Sequence, residues 1–473
     1  MATTTYLQLH LNNIDLNKPA PPPLVQGYGD AMDRRADRMI HARQMDQYNK
    51  AHAFTDEWLS ILNKAEQATW HAQCTLQSID KDSIQHLAKF NLPVYAMGYN
   101  WLQSNEDSAQ TIYKKLAAIK AEYGQRFHKF IIISHSMGGL VTRRLAQLCG
   151  EDIAGVVHGV MPADGAAAAY RRIVSGSYEG GGLVPWVTSF VLGKNTEHVT
   201  AVLANSPGGL ELLPNAEYNQ RKPWLTLQGK NERNEMVKVE LPTANTKGEI
   251  DPYEQIYKAD KVWWEMVREE LIDPANMFKP TTPKETPKDI YKEKIEDVKK
   301  FHSRIAKKYH PCTYVNYGHD PQFSSFGTLT WTLDRNLKGL DAKQLKSLPK
   351  ASDKEMATYR AKIVQEQMKR IQSGSGTNVN SRDMALENNG VRYISLSSGN
   401  LANFCISDQN APGDGTVPFQ SGRAPYNNSG VKQIFQMMGF DHQGSYNDPH
   451  VKRSVLHSIV SIIKENNIQP KFR

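Results

Sequence analysis

The sequence predicts an α/β fold: a mostly parallel, doubly wound sheet carrying helical insertions. Three observations carry that reading. First, Val94-Tyr-Ala-Met97, Phe130 to Ile133 and Ile153 to Met161 are short apolar runs that read as strands, with helical text between them. Second, Ile112, Leu116, Ile119 and Tyr123 recur at the spacing of one buried helix face, behind a start that Asn105 or Asp107 caps. Strand, helix and strand joined by short connections point to right-handed parallel crossovers. Third, strand text returns late in the chain, at Cys312 to Gly318, Val391 to Leu396 and Gln433 to Met438. It closes on a helix, Val451 to Lys464, whose stripe is Val451, Val455, Ile459 and Ile462.

The central stretch narrows the fold class. Phe130 to Ile133 runs straight into Ser-His-Ser-Met-Gly-Gly (134–139) and then into the helix Leu140 to Leu148, closed by Gly150. A strand, a tight turn with serine at its tip and a helix make the nucleophile elbow of α/β-hydrolases. A serine hydroxyl is a poor nucleophile, so it must be presented where a base reaches Oγ and helix N-terminal N–H groups face the oxyanion. Ser136 is that serine. A serine before a helix is also a common N-cap, but the preceding strand and the doubled glycine favour the nucleophile. Ser134 and Gly138 flank it two positions either side, where a large side chain would clash. The usual residue at 134 is glycine, and serine is small enough to replace it. The fold class is therefore an α/β-hydrolase with helical cap and lid insertions.

A chain of 473 residues accommodates one large α/β domain with insertions, or two or three domains. Residues 1–92 read as a mostly helical N-terminal region, with at most one short strand (Tyr6 to Leu11) and without the usual first strand of the sheet. Residues 93–244 hold the first part of the hydrolase core. Within them the glycine-hinged apolar segment 180–193 is either buried packing or a mobile lid that turns Trp186 and Phe190 toward lipid. Residues 245–385 read as mainly helical cap insertions around a core strand near 312–318. One helix there is marked by Trp263, Trp264, Val267 and Leu271, and another by Ile290, Ile295, Val298 and Ile305. Residues 386–473 complete the core.

Composition excludes several classes. The net charge of +8 is spread along the chain without aromatic-interleaved basic clusters, which argues against nucleic acid as a partner. Cys74, Cys149, Cys312 and Cys405 lie far apart, matching neither a zinc site nor a disulfide framework, so no metal or cofactor is expected. Met1 to Asn12 lacks a basic segment followed by an apolar one, so synthesis in the cytoplasm without a signal peptide is expected. No apolar run approaches the ~20 residues of a membrane span.

A serine hydrolase needs a base for its nucleophile and a carboxylate to hold the base's tautomer, in the chain order Ser, Asp/Glu, His for this fold. Asp414 lies between two glycines in Ala411-Pro-Gly-Asp-Gly-Thr-Val-Pro418, on a turn that can aim it inward. His442 follows the last strand in Gly439-Phe-Asp-His-Gln-Gly-Ser445, where the base belongs. Asp164, after the third strand, is the rival acid. His450 and His457 read as surface or packing histidines, and His135 as a packing residue. The backbone N–H of Met137 supplies the first oxyanion donor, and the second is expected from a loop upstream of residue 90.

Five motifs together resemble a known family: Gly-Tyr-Asn-Trp-Leu-Gln-Ser-Asn (98–105), Ser-His-Ser-Met-Gly-Gly (134–139), His-Gly-Val-Met-Pro-Ala (158–163), Gly-Asp-Gly-Thr-Val-Pro (413–418) and Asp-His-Gln (441–443). They are similar to the bacterial type VI secretion lipase effectors of the branch related to GPI-inositol deacylases. More distantly they resemble the lecithin:cholesterol acyltransferase lipases. The resemblance implies an antibacterial phospholipase toxin acting on membrane phospholipid esters, delivered by a secretion-apparatus component to a target cell's periplasm and opposed by a cognate immunity protein. It assigns Ser136, Asp414 and His442 the roles of nucleophile, acid and base. Such proteins open with an apolar strand and a Pro-Gly-x-Met-Gly loop that gives the second oxyanion donor, and no such element precedes residue 93. Losing one donor lowers kcat by about 10²–10³. Either another N–H substitutes, the start of the chain is mis-set, or catalysis is impaired. The rival functions are an inactive hydrolase-like binding protein and a soluble carboxylesterase with no membrane role.

Overall fold

The computed structural model describes residues 4–10 (as backbone), 86–87, 89–90, 92–176, 196–372, 390–397 and 400–469. The expected lid at 180–193 and most of the N-terminal region lie outside the described residues. The chain forms two compact units, one of Met1–Ala163, Arg304–Phe323 and Gly413–Arg473, the other of Asp164–Ser303 and Ser324–Pro412.

The first unit is built on six strands: β1 (Thr4–His10), β2 (Val94–Met97), β3 (Phe127–His135), β4 (Ile153–Gly159), β5 (Thr313–Gly318) and β6 (Val431–Met437), in the order β6-β5-β4-β3-β1-β2. Strands β3, β4, β5 and β6 pair in parallel, and β1 pairs antiparallel with both β2 and β3. The short strand read at Tyr6 to Leu11 overlaps β1, which takes a place in the sheet between β3 and β2.

Because side chains alternate across a strand, β3 feeds both faces of the sheet. Phe130 and Ile132 pack with Ile112, Leu116, Ile119, Val141 and Leu145 of α1 (Asn105–Tyr123) and α2 (Gly138–Cys149). Ile131 and Ile133 pack with Val451, Val455, Ile459 and Ile462 of α3 (Pro449–Glu465). Helices cover both faces, and the fold is an α/β-hydrolase. Ser104 caps α1 by accepting from the Glu106 N–H, whereas the expected cap Asn105 is buried one position further on. The expected strand near 312–318 is β5, the penultimate strand of the parallel set.

The second unit carries a five-stranded sheet in the order Val391–Ser395, Leu401–Ile406, Leu329–Leu337, Leu225–Asn231, Met236–Leu241. The sequence predicts mainly helical text over 245–385, where Leu329–Leu337 lies, and reads Val391 to Leu396 as a core strand; Leu225–Asn231, Met236–Leu241, Leu329–Leu337 and Leu401–Ile406 do not read as strands. Their alternation is short and broken by Thr, Asn and Asp, so periodicity understates them. The helix expected around Trp263 does not form. Lys261 adopts φ 56°, outside the helical region, and Trp263 and Trp264 stand on a turn with both side chains buried. Trp263 stacks on Phe404 with ring centroids 3.6 Å apart, and its indole N–H donates to the Leu345 carbonyl. The second expected helix is present as Pro287–Ile305. Among the described residues no helix is long and apolar enough to cross a membrane.

Candidate active site

β3 ends at His135 and α2 begins at Gly138, leaving Ser136 on the turn with φ 53°. A non-glycine residue in this region is strained. Two hydrogen bonds hold it there: the Ser136 N–H donates to the Gly159 carbonyl at 2.9 Å, and the Gly139 N–H donates to the Ser136 carbonyl at 2.9 Å. Ser134 explains its own departure from glycine. Its hydroxyl shares a 2.7 Å hydrogen bond with Nδ1 of His158, and both are buried. Burial, then the nearby Arg143 guanidinium, push His158 down to about 3, so this histidine is neutral.

The other two singled-out residues converge on the serine. His442 Nε2 lies 2.8 Å from Ser136 Oγ, and its Nδ1 lies 2.8 Å from Asp414 Oδ2. All three belong to the first unit. Asp414 Oδ1 accepts from the N–H groups of Thr416 (2.9 Å) and Val417 (2.7 Å), which leaves Oδ2 for the imidazole. A carboxylate only accepts, so Nδ1 carries the proton and Nε2 presents its lone pair to the Ser136 hydroxyl. Asp414 is 1% exposed and His442 5%, so water does not compete for the Nδ1 contact.

Backbone features fix these loops. Gly318, at the end of β5, faces the acid: a Cβ there would stand 2.9 Å from both Asp414 Cβ and the Gly413 carbonyl oxygen. After β6 the chain turns at Gly439 with φ 93°, and the Gly439 N–H donates to Asp320 Oδ2 at 2.8 Å. The His442 N–H donates to the Asp414 carbonyl at 2.8 Å, tying the base loop to the acid loop.

Asp164 belongs to the second unit, and its Oδ1 accepts from Asn215 at 3.3 Å. His450 is exposed at the start of α3, and His457 lies 3.1 Å from Gln433 Oε1. Met137 is the N-cap of α2, so its N–H stands at a helix N-terminus, the expected oxyanion position. The second donor's expected loop lies outside the described residues. Two participants were not singled out: Asp320, and Tyr446, whose hydroxyl donates to the Ser134 carbonyl at 2.8 Å. Neither stands in a motif. Among the described residues no group of three or more His, Cys, Asp or Glu could hold a metal ion.

A doubly wound sheet with a strained serine between strand and helix, reached by a histidine–aspartate pair, defines an α/β-hydrolase. The family model for lecithin:cholesterol acyltransferase matches residues 68–316, and the chain belongs to that family. The matched span holds Ser136 and ends before Asp414 and His442. Among solved structures, the crystal structure of the Tle4-Tli4 complex is similar at 29% identity, covering 83% of this chain and 72% of that chain with a TM-score of 0.58. Phospholipase PlaB from Legionella pneumophila aligns at 12% identity over 48% of this chain and 62% of that one, with a TM-score of 0.15 that bears on nothing further. No curated protein matches the chain.

Proposed function

We propose that the chain is a serine phospholipase that cleaves acyl esters of membrane phospholipids and serves as an antibacterial type VI secretion effector. The observation that carries the reading is the unbroken hydrogen-bond chain Ser136 Oγ–His442–Asp414 at 2.8 Å and 2.8 Å. Ser136 Oγ attacks the ester carbonyl while His442 Nε2 takes its proton, and Asp414 holds the tautomer and balances the imidazolium. His442 returns the proton to the departing lysolipid oxygen. Water, deprotonated by the same base, then releases the fatty acid and restores the serine. The Met137 N–H stabilises the oxyanion in both halves.

Membership of the lecithin:cholesterol acyltransferase family supports a lipid ester as substrate. The secretion and antibacterial roles rest on the effector resemblance of the motifs and on the likeness to Tle4. That protein was crystallised with Tli4, which supports a cognate immunity protein here too.

A fluorophosphonate probe should label the wild-type chain and leave Ser136→Ala unlabelled. Fatty acid should be released from phosphatidylethanolamine–phosphatidylglycerol vesicles by the wild type alone. Labelling that survives the substitution removes Ser136 as nucleophile. Turnover of a short-chain soluble ester with no release from vesicles rejects the phospholipase.

A further inference from the structure

His135 precedes the nucleophile, yet the acyl-transfer chemistry does not use it. Its side chain reaches across to the base loop, where Nε2 lies 2.8 Å from the backbone carbonyl of His442. A carbonyl oxygen only accepts, so Nε2 carries the proton. The contact has a counterpart running the other way. From the base loop, the Tyr446 hydroxyl donates 2.8 Å to the carbonyl of Ser134, on the strand that bears the nucleophile. The His135 ring packs near both residues, with centroids 5.1 Å from His442 and 5.9 Å from Tyr446. Gly159 leaves room for this clasp: a Cβ there would stand 2.4 Å from the Tyr446 hydroxyl.

We propose that His135 is a positioning residue, whose Nε2–H locks the loop bearing the base to the turn bearing the nucleophile. The inference rests on the serine-hydrolase reading of Ser136 and His442. The Ser136–His442 hydrogen bond spans two segments 306 residues apart in sequence, and each needs a reference to the other. The His442 backbone is held at both ends, by the Asp414 carbonyl at its N–H and by His135 at its carbonyl. Ser445 Oγ also reaches that carbonyl, at a longer 3.3 Å. Among the described residues, the titratable groups facing His135 are His442, Asp414 and Tyr446. Burial and the neighbouring His442 hold His135 down to about 4, so it stays uncharged when His442 takes the serine proton. A second cation there would oppose the imidazolium.

A misplacement of about 1 Å at such a site lowers rate by about 10²-fold. His135→Phe keeps a ring and loses the donor. It should lower kcat by roughly 10²-fold with KM within about twofold, and slow fluorophosphonate labelling of Ser136 equally. His135→Gln restores an N–H donor and should recover kcat to within about tenfold of wild type. Should the phenylalanine variant not fold, His135→Met takes its place beside the glutamine. Equal losses in the variants with and without a donor, or no loss in either, would overturn the proposal. A wild-type chain that the probe does not label at Ser136 overturns the underlying reading instead, so the two failures are distinguishable.

Discussion

Asp414→Asn should lower kcat on the order of 10⁴-fold while leaving the fold intact. The geometry makes the outcome unusually directional. Asp414 Oδ1 is held by the N–H groups of Thr416 and Val417, and an asparagine would keep its carbonyl oxygen there. The amide NH₂ would then face His442 Nδ1, which could only accept. The imidazole proton would be forced onto Nε2, against Ser136 Oγ, so the base could no longer take the serine proton. The negative charge balancing the imidazolium would also be gone. Steady-state kinetics on a soluble ester, with the thermal midpoint as control, measures the effect. Asp164→Asn in parallel should stay within about twofold of wild type, since its carboxylate bonds Asn215. A reversal of the two results would transfer the acid role to Asp164.

That choice between two aspartates shows how far local sequence reaches. The elbow was legible because its evidence is contiguous: strand, serine turn and helix lie within twenty residues of text. Asp414 and His442 were legible from chain order and from glycines that mark sharp turns, although the room for Asp414 is left by Gly318, nearly a hundred positions earlier. His135 read as a packing residue because its partner carbonyl is 307 residues away and no side-chain pattern marks a backbone acceptor. Four of the five strands in the second unit's sheet were missed for a different reason; only Val391 to Leu396 read as a strand. Leu225, Leu227, Leu329 and Trp331 alternate inward, but each run is too short to stand out from the charged helices around it. Trp263 and Trp264 suggested a helix stripe, and instead the two indoles enter the core from a turn. Burial was read correctly there, and backbone conformation was not.

The first unit should lose stability as pH falls from 6.5 toward 4, starting above the range where carboxylates titrate. His135 and His158 have ordinary values of 6.5, lowered to about 4 and about 3 chiefly by burial. Below pH 6.5 the unfolded chain therefore binds protons that the folded chain does not, so stability rises with pH across this window. It is fully present above 6.5 and lost progressively as pH drops toward the folded values. One pH unit corresponds to about 1.4 kcal/mol for each group. Going from pH 7.5 to pH 5 should thus remove about 2 kcal/mol for each of the two histidines, about 4 kcal/mol together. His310 and His457 are also lowered by burial and act in the same direction. Glu106 enters only below 4.5: Arg144 holds it low against its own burial. Urea midpoints between pH 7.5 and pH 5 should fall accordingly. His158→Asn, which keeps a polar atom facing Ser134, should flatten the slope by about one proton. A midpoint that does not move over this range would mean that the buried histidines are not held neutral. The same property serves the chemistry proposed for the site. His135 and His158 both flank the nucleophile turn as uncharged groups, so neither adds a cation beside the positive charge that forms on His442 and meets the Asp414 carboxylate.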